Sequence, residues 1–242
     1  MNNRFVLLFV LIASLFGSCD DFDSVDSDSS SQAGSMARFV VKGDYLYVVG
    51  NNNLMTLNIK DSTAVRICSS QHLGFGIETL FSHDSYLFMG STDGMYICDL
   101  VRPAKPTLVT MYQHITSYDP VVVRGNYAFV TLRSGLSWNA VDELQVIDIS
   151  QLDNPVEVAT YPMTSPRGLA ITDSLLFVCD NTSLVVMNAL DPLNMKVTHR
   201  FALNGVLNDV IANKGLLTIS YGDGLAQFTY ANDTIQQIST LY

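Results

Sequence analysis

The feature that most constrains this chain is that it repeats itself. YLYVVG begins at Tyr45, YLFMGS at Tyr86, YAFVTL at Tyr127, LLFVCD at Leu175 and LLTISY at Leu216, with spacings of 41, 41, 48 and 41 residues. A second apolar segment follows each: LMTLNI from Leu54, MYICDL from Met95, LQVIDI from Leu144, LVVMNA from Leu184 and LAQFTY from Leu225. The offset within a copy is 9 residues in four copies and 17 in the third. Each copy reads as four short strands: an apolar run, a tight turn such as Lys42-Gly43-Asp44, the aromatic segment, the VIDI-type segment, and a last strand after a Pro- or Asp-containing turn. The dipeptides Asp93-Gly94 and Asp223-Gly224 mark hairpins, because Gly tolerates positive φ. In the fourth strand of copy three, Val156, Val158 and Thr160 alternate and should face one way. No helical stripe extends over ten residues.

A period near 40 residues with four strands per unit is the signature of a propeller blade. One blade is a small sheet with two apolar faces, so it must stack on neighbours around an axis. The predicted fold is all-β, a five-bladed β-propeller of four-stranded antiparallel blades. Its domain spans residues 36–242, with repeats near 36–76, 77–117, 118–165, 166–205 and 206–242. Whether the first strand belongs to blade one or completes blade five is left open by the pattern.

The N-terminus reads differently. Residues 5–16, FVLLFVLIASLF, form an apolar run too short to span a bilayer but suited to a secretory signal. Gly17-Ser18-Cys19 follows and looks like a lipobox, which makes 1–18 a lipoprotein signal peptide and Cys19 the lipidated residue. Residues 19–35 hold five Asp, six Ser and no Lys or Arg, so they read as a flexible acidic tether. The expected location is the bacterial envelope, lipid-anchored at the outer membrane, facing either the surface or the periplasm. Acids directly after such a cysteine resemble a surface-export signal in some bacteria and a retention signal in others.

The segments LQVIDIS (Leu144–Ser150) and LVVMNAL (Leu184–Leu190) resemble the LVIVD-repeat family. Copies one and five depart from it, with Lys60–Thr63 and Asn232-Asp233 in place of an Asp-Pro or Asn-Pro turn. The resemblance implies an envelope or extracellular propeller and no particular reaction.

Net charge is −10, and no Lys/Arg cluster exists, which argues against nucleic-acid binding. No nucleophile elbow, phosphate loop or dinucleotide motif is present, and no cofactor is expected. The first strands should line the axis. Their starting positions, Ala37, Glu78, Asp119, Arg167 and Asn208, keep the repeat spacing and should ring one mouth, with Asp209 adjacent. Two carboxylates beside an Arg can clamp a polar ligand, or simply be polar strand ends. His72 and His114 precede this ring but show no metal-binding motif, so no metal is assigned. Trp138, in the long insertion of copy three, is either a contact platform for a sugar or protein or a residue folded back on its blade. Cys68, Cys98 and Cys179 read as buried apolar residues, with a Cys68–Cys98 bridge as the alternative. The function that follows is a protein- or glycan-binding module using Glu78, Asp119, Arg167, Asn208, Asp209, His114 and Trp138. The alternatives are a glycoside hydrolase with axial Glu78 and Asp119, and a structural envelope protein.

Overall fold

A computed structural model describes residues 34–50, 52–113, 120–133, 141–231 and 234–241. Twenty strands form five antiparallel sheets, each taken from four consecutive strands. Blade 1 is β1 (Phe39–Lys42), β2 (Tyr45–Val49), β3 (Asn53–Asn58) and β4 (Arg66–His72). Blade 2 is β5 (Ile77–His83), β6 (Tyr86–Ser91), β7 (Gly94–Asp99) and β8 (Thr107–Gln113). Blade 3 is β9 (Val121–Arg124), β10 (Tyr127–Arg133), β11 (Asp142–Asp148) and β12 (Val156–Pro162). Blade 4 is β13 (Pro166–Ile171), β14 (Leu175–Asp180), β15 (Ser183–Asn188) and β16 (Lys196–Ala202). Blade 5 is β17 (Leu207–Asn213), β18 (Leu216–Tyr221), β19 (Gly224–Ala231) and β20 (Thr234–Leu241). Among the described residues no strand is exchanged between the first and last blades, which settles the repeat phase: β1 pairs with β2.

Alternation within each strand sends one set of side chains to the preceding blade and the other to the following one. In blade 2, Leu87, Met89, Tyr96 and Cys98 pack toward blade 1, while Phe88, Met95 and Ile97 pack toward blade 3. Phe129 lies between blades 3 and 4 and Phe177 between blades 4 and 5; both are fully buried. The aromatic segment recurs because a blade's middle strand must fill the wedge against its neighbour. Polar ties cross the same seams. Lys42 Nζ donates to Asp84 O of blade 2, and Arg124 donates to Thr172 O, Asp173 O and Ala189 O of blade 4. Burial holds the Arg124 guanidinium below its ordinary pKa. Tyr47 Oη donates to Pro103 O at 3.0 Å, and Tyr161 Oη to Pro192 O at 2.8 Å.

Every outer strand carries one bulge. The unpaired residues are Cys68, Val109, Val158, Thr198 and Ile238. The simple alternation expected for Val156, Val158 and Thr160 is therefore broken at Val158, and all three are exposed. Such bulges twist an edge strand and blunt it against edge-to-edge pairing. Cys68 is likewise exposed, not buried as expected, because it sits at the bulge of β4, an outer strand from which no residue joins a buried cluster. Cys98 and Cys179 are buried as expected, and all three cysteines are free.

The hairpin at Asp93-Gly94 exists, but its glycine serves another purpose. Gly94 does not adopt positive φ; a Cβ there would stand 2.1 Å from Tyr112 O on the neighbouring strand β8. Gly224 is the same, 2.5 Å from Leu241 O. Left-handed residues recur in the first hairpin of four blades, at Gly43, Asp84, Gly125 and Lys214, with φ of 55, 46, 56 and 47°, and in the second hairpin of blades 4 and 5, at Asn181 and Gly222, with φ of 56 and 48°.

Candidate functional site: the axial mouth

The inner strands β1, β5, β9, β13 and β17 converge at the axis. Three of the positions read as a polar ring turn out to be bulges. In β5, Ile77 pairs with Ser91 and Thr79 with Gly90, which leaves Glu78 unpaired. In β17, Asn208 is skipped between Leu207 and Asp209. In β13, Arg167 and Gly168 together oppose the single residue Cys179. A bulge re-aims a side chain at the start of a strand. The repeat spacing thus locates a recurring backbone irregularity, and Glu78, Arg167 and Asn208 are half-buried there. Asp119, His114 and Trp138 lie outside the described residues, as does Cys19.

Arg167 is not ion-paired with Glu78. Burial, then the charge of Arg133, holds its guanidinium below the ordinary pKa. Its Nε is buried without a hydrogen-bond partner among the described residues. Its carbonyl accepts from Thr131 Oγ1 at 2.6 Å, tying blade 3 to blade 4.

Asp209 is the most heavily engaged group at the mouth. Ser35 Oγ donates to its Oδ1 at 3.1 Å, Met36 N to its Oδ2 at 3.4 Å, and Val210 N to its Oδ1 at 3.0 Å. Ser35 Oγ also accepts from Leu169 N at 2.8 Å. Burial pushes the Asp209 carboxyl up to about 6, against the lowering effect of these hydrogen bonds. Two glycines make the fit: a Cβ on Gly34 or on Gly168 would stand 2.1 Å from an Asp209 carboxylate oxygen. Ser35, inside the segment read as tether, is only 1% exposed. From there the chain crosses to blade 2, where Ala37 O accepts from Leu80 N at 2.7 Å and Arg38 donates to Ile77 O at 3.3 Å. Residues 34–38 form a strap across the mouth. Nothing in the repeat announced it, because Ser35 lies outside the repeat and Asp209 one residue off its phase.

A second carboxylate nearby is also occupied. Asp180, buried at the end of β14, accepts from Thr164 N and Ser165 N, both at 2.8 Å, and from Arg200 at 3.3 Å. His72 sits exposed at the end of outer strand β4, 3.3 Å from Asn53 Oδ1 and edge-on to Phe75. Among the described residues no three His, Cys, Asp or Glu side chains converge as a metal site.

Comparison with known proteins bears on the frame. The LVIVD repeat matches residues 33–67 and 118–163. No curated protein matches the sequence. Among solved structures, a functionally unknown protein of Desulfotomaculum acetoxidans is similar, at 8% identity and a TM-score of 0.66, over 87% of this chain and 68% of that one. The periplasmic gluconolactonase PpgL of Pseudomonas aeruginosa is similar at 13% identity and 0.64, over 82% and 67%. BamB of Moraxella catarrhalis is similar at 11% identity and 0.58, over 77% and 54%. At these identities the likeness is one of fold, and about a third or more of each neighbour has no counterpart here. The repeat and the five stacked four-stranded sheets agree: this chain is a β-propeller carrying LVIVD repeats.

Proposed function

We propose that the chain is a lipid-anchored envelope propeller, attached through Cys19, that binds a protein or glycan at the face bearing the axial mouth. The observation that carries this reading is Arg167: half-buried at the mouth and not ion-paired with Glu78, it presents a charged donor group that a ligand's acceptor can meet. Asp209 and Asp180, by contrast, are already held by donors of the protein itself. Glu78 and Arg167 then frame the ligand, with Asn208, Asp119, His114 and Trp138. Fold likeness to a gluconolactonase carries no activity across.

The test combines location and capture. Proteinase K on intact and on lysed cells reads which side of the outer membrane the propeller occupies. In-cell cross-linking then identifies its ligand. Arg167→Ala and Trp138→Ala should each lower capture at least tenfold with the melting temperature unchanged. Sugar hydrolysis by the wild type, lost in a Glu78→Gln, Asp119→Asn double variant, would replace the binding reading with the glycosidase one.

A further inference from the structure

The five blades build the foot of the fold, opposite the axial mouth, in one way. A single bond recurs there, from the end of each third strand back to the first hairpin: Ile59 N to Asp44 O, Leu100 N to Ser85 O, Ile149 N to Asn126 O, Ala189 N to Ser174 O and Tyr230 N to Gly215 O, all at 2.8–2.9 Å. Corresponding residues are therefore held in corresponding places. The residue that opens the first hairpin is, blade by blade, Lys42, His83, Arg124, Thr172 and Asn213.

Two of these are cations laid on carbonyls of the next blade. Lys42 Nζ donates to Asp84 O. Arg124 reaches further. Its Nη1 donates to Thr172 O at 3.1 Å and to Asp173 O at 2.7 Å, its Nη2 donates to Ala189 O, and its guanidinium lies 5.9 Å from the centre of the Phe129 ring. His83 turns back on Asp84 at 3.5 Å. Thr172 is too short to cross to blade 5. Its hydroxyl is engaged in its own turn, donating to Leu175 O and accepting from Leu175 N, both at 3.1 Å. A hollow of about 340 Å³ opens in front of it, lined by Thr172, Ser174, Leu175, Tyr230, Thr234 and Ile235, with no charged side chain among the described residues.

The blade 5 wall of this hollow repeats what a cation meets at the other seams. Tyr230 stands where Ala189 stands, fixed by the recurring bond. Lys214 is left-handed at φ 47°, as Asp84 is at 46°, and it is the Asp84 carbonyl that takes Lys42. Tyr230 adds a half-buried ring, 5.3 Å from Phe177, which occupies in blade 4 the place of Phe129 in blade 3.

We propose that this hollow receives an arginine side chain of a partner protein, which lays its guanidinium on blade 5 as Arg124 lays its own on blade 4. The chain itself supplies the template for the occupant. A guanidinium presents its donors in a planar fork and stacks on aromatic rings, so it can meet carbonyls of two turns and the Tyr230 ring together. An ammonium is a point charge, and Lys42 takes one carbonyl. The seam between blades 1 and 2 has a hollow of about 330 Å³, but Lys42 lines it and is already bonded there. Free arginine does not suit the uncharged lining, because its carboxylate and ammonium would lose water without a counter-charge. Within a polypeptide the residue brings the guanidinium alone. This site is separate from the axial mouth, and neither depends on the other.

Amide chemical shifts of the detergent-solubilised full chain, titrated with N-acetyl-arginine amide, test this. The shifts of Gly215, Leu216 and Tyr230 should saturate at millimolar probe. N-acetyl-lysine amide and free arginine should each bind at least about fivefold more weakly. Thr172→Arg builds the missing tie into the chain, so it should abolish the shifts and raise the melting temperature. Should that variant fail to fold, Thr172→Gln, which fills the hollow without a charge, should abolish them instead. A wild type with no saturable shift at blade 5 overturns the proposal. So does a lysine probe or free arginine that binds as tightly as the blocked arginine, or a response that survives in Thr172→Arg or Thr172→Gln.

Discussion

At the scale of the residue, the mouth turns on Asp209. Its carboxyl titrates near 6, above the ~3.9 of an unfolded Asp. A raised carboxylate pKa means that the fold favours the protonated form. The associated stability is fully present below about pH 4 and is lost as the pH rises through about 6, amounting to ~3 kcal/mol. The neighbouring titratable groups are the Cys179 thiol, itself pushed up by burial, and Arg167, whose charge acts on that thiol. Asp209→Asn should abolish the fall in unfolding free energy between pH 4 and 7, read from urea titrations at each pH. A chain beginning after Met36 should lose the same slope, because it lacks the strap that buries the carboxyl. Gly168→Ala tests the cradle. Its Cβ would meet the Asp209 backbone at 2.6 Å, and the overpacking should cost about 1–3 kcal/mol in the same measurement.

At the scale of the element, the blade's middle strands hold the fold and its outer strands decorate it. Phe177 fills the seam between blades 4 and 5, so Phe177→Ala should cost about 3–5 kcal/mol by chemical denaturation. Val158→Ala, at an exposed bulge, should stay within about 0.5 kcal/mol. The strand pattern was legible because burial on both faces imposes apolar residues at both parities of the middle strands. The outer bulges were not, because an exposed edge strand writes no burial pattern into its residues. The same gap explains the misreading of Cys68: a cysteine in a strand is buried only where a second layer covers that strand. Glu78, Arg167 and Asn208 were found by spacing, though what recurs there is a backbone bulge rather than a side-chain chemistry.

At the scale of the molecule, the described residues of five blades form four packed seams, and an unevenly supported stack exchanges unevenly. Hydrogen exchange should be slowest in β6 and β7, β10 and β11, and β14 and β15, whose blades are covered on both sides. Exchange should be fastest in β20 and β4. Equal protection across all five blades would mean that the fifth seam is packed. The strap predicts a further asymmetry: removing residues 34–36 should speed exchange in β17 and β13, which it holds together, more than in β9.

Blade count, strand number and strand order follow from the sequence alone, whereas the pairing of β1 with β2 rather than with the last blade was settled by the structure. The first three are consequences of local periodicity, which repeats five times and needs no long-range information. Two things were decided only in three dimensions: the strap on Asp209 and the use of Gly94 and Gly224 for close strand approach. The strap depends on residues that meet across four blades, and the glycines on how closely adjacent strands of one blade approach. A repeat specifies what every blade has in common, and neither contact is part of that common pattern.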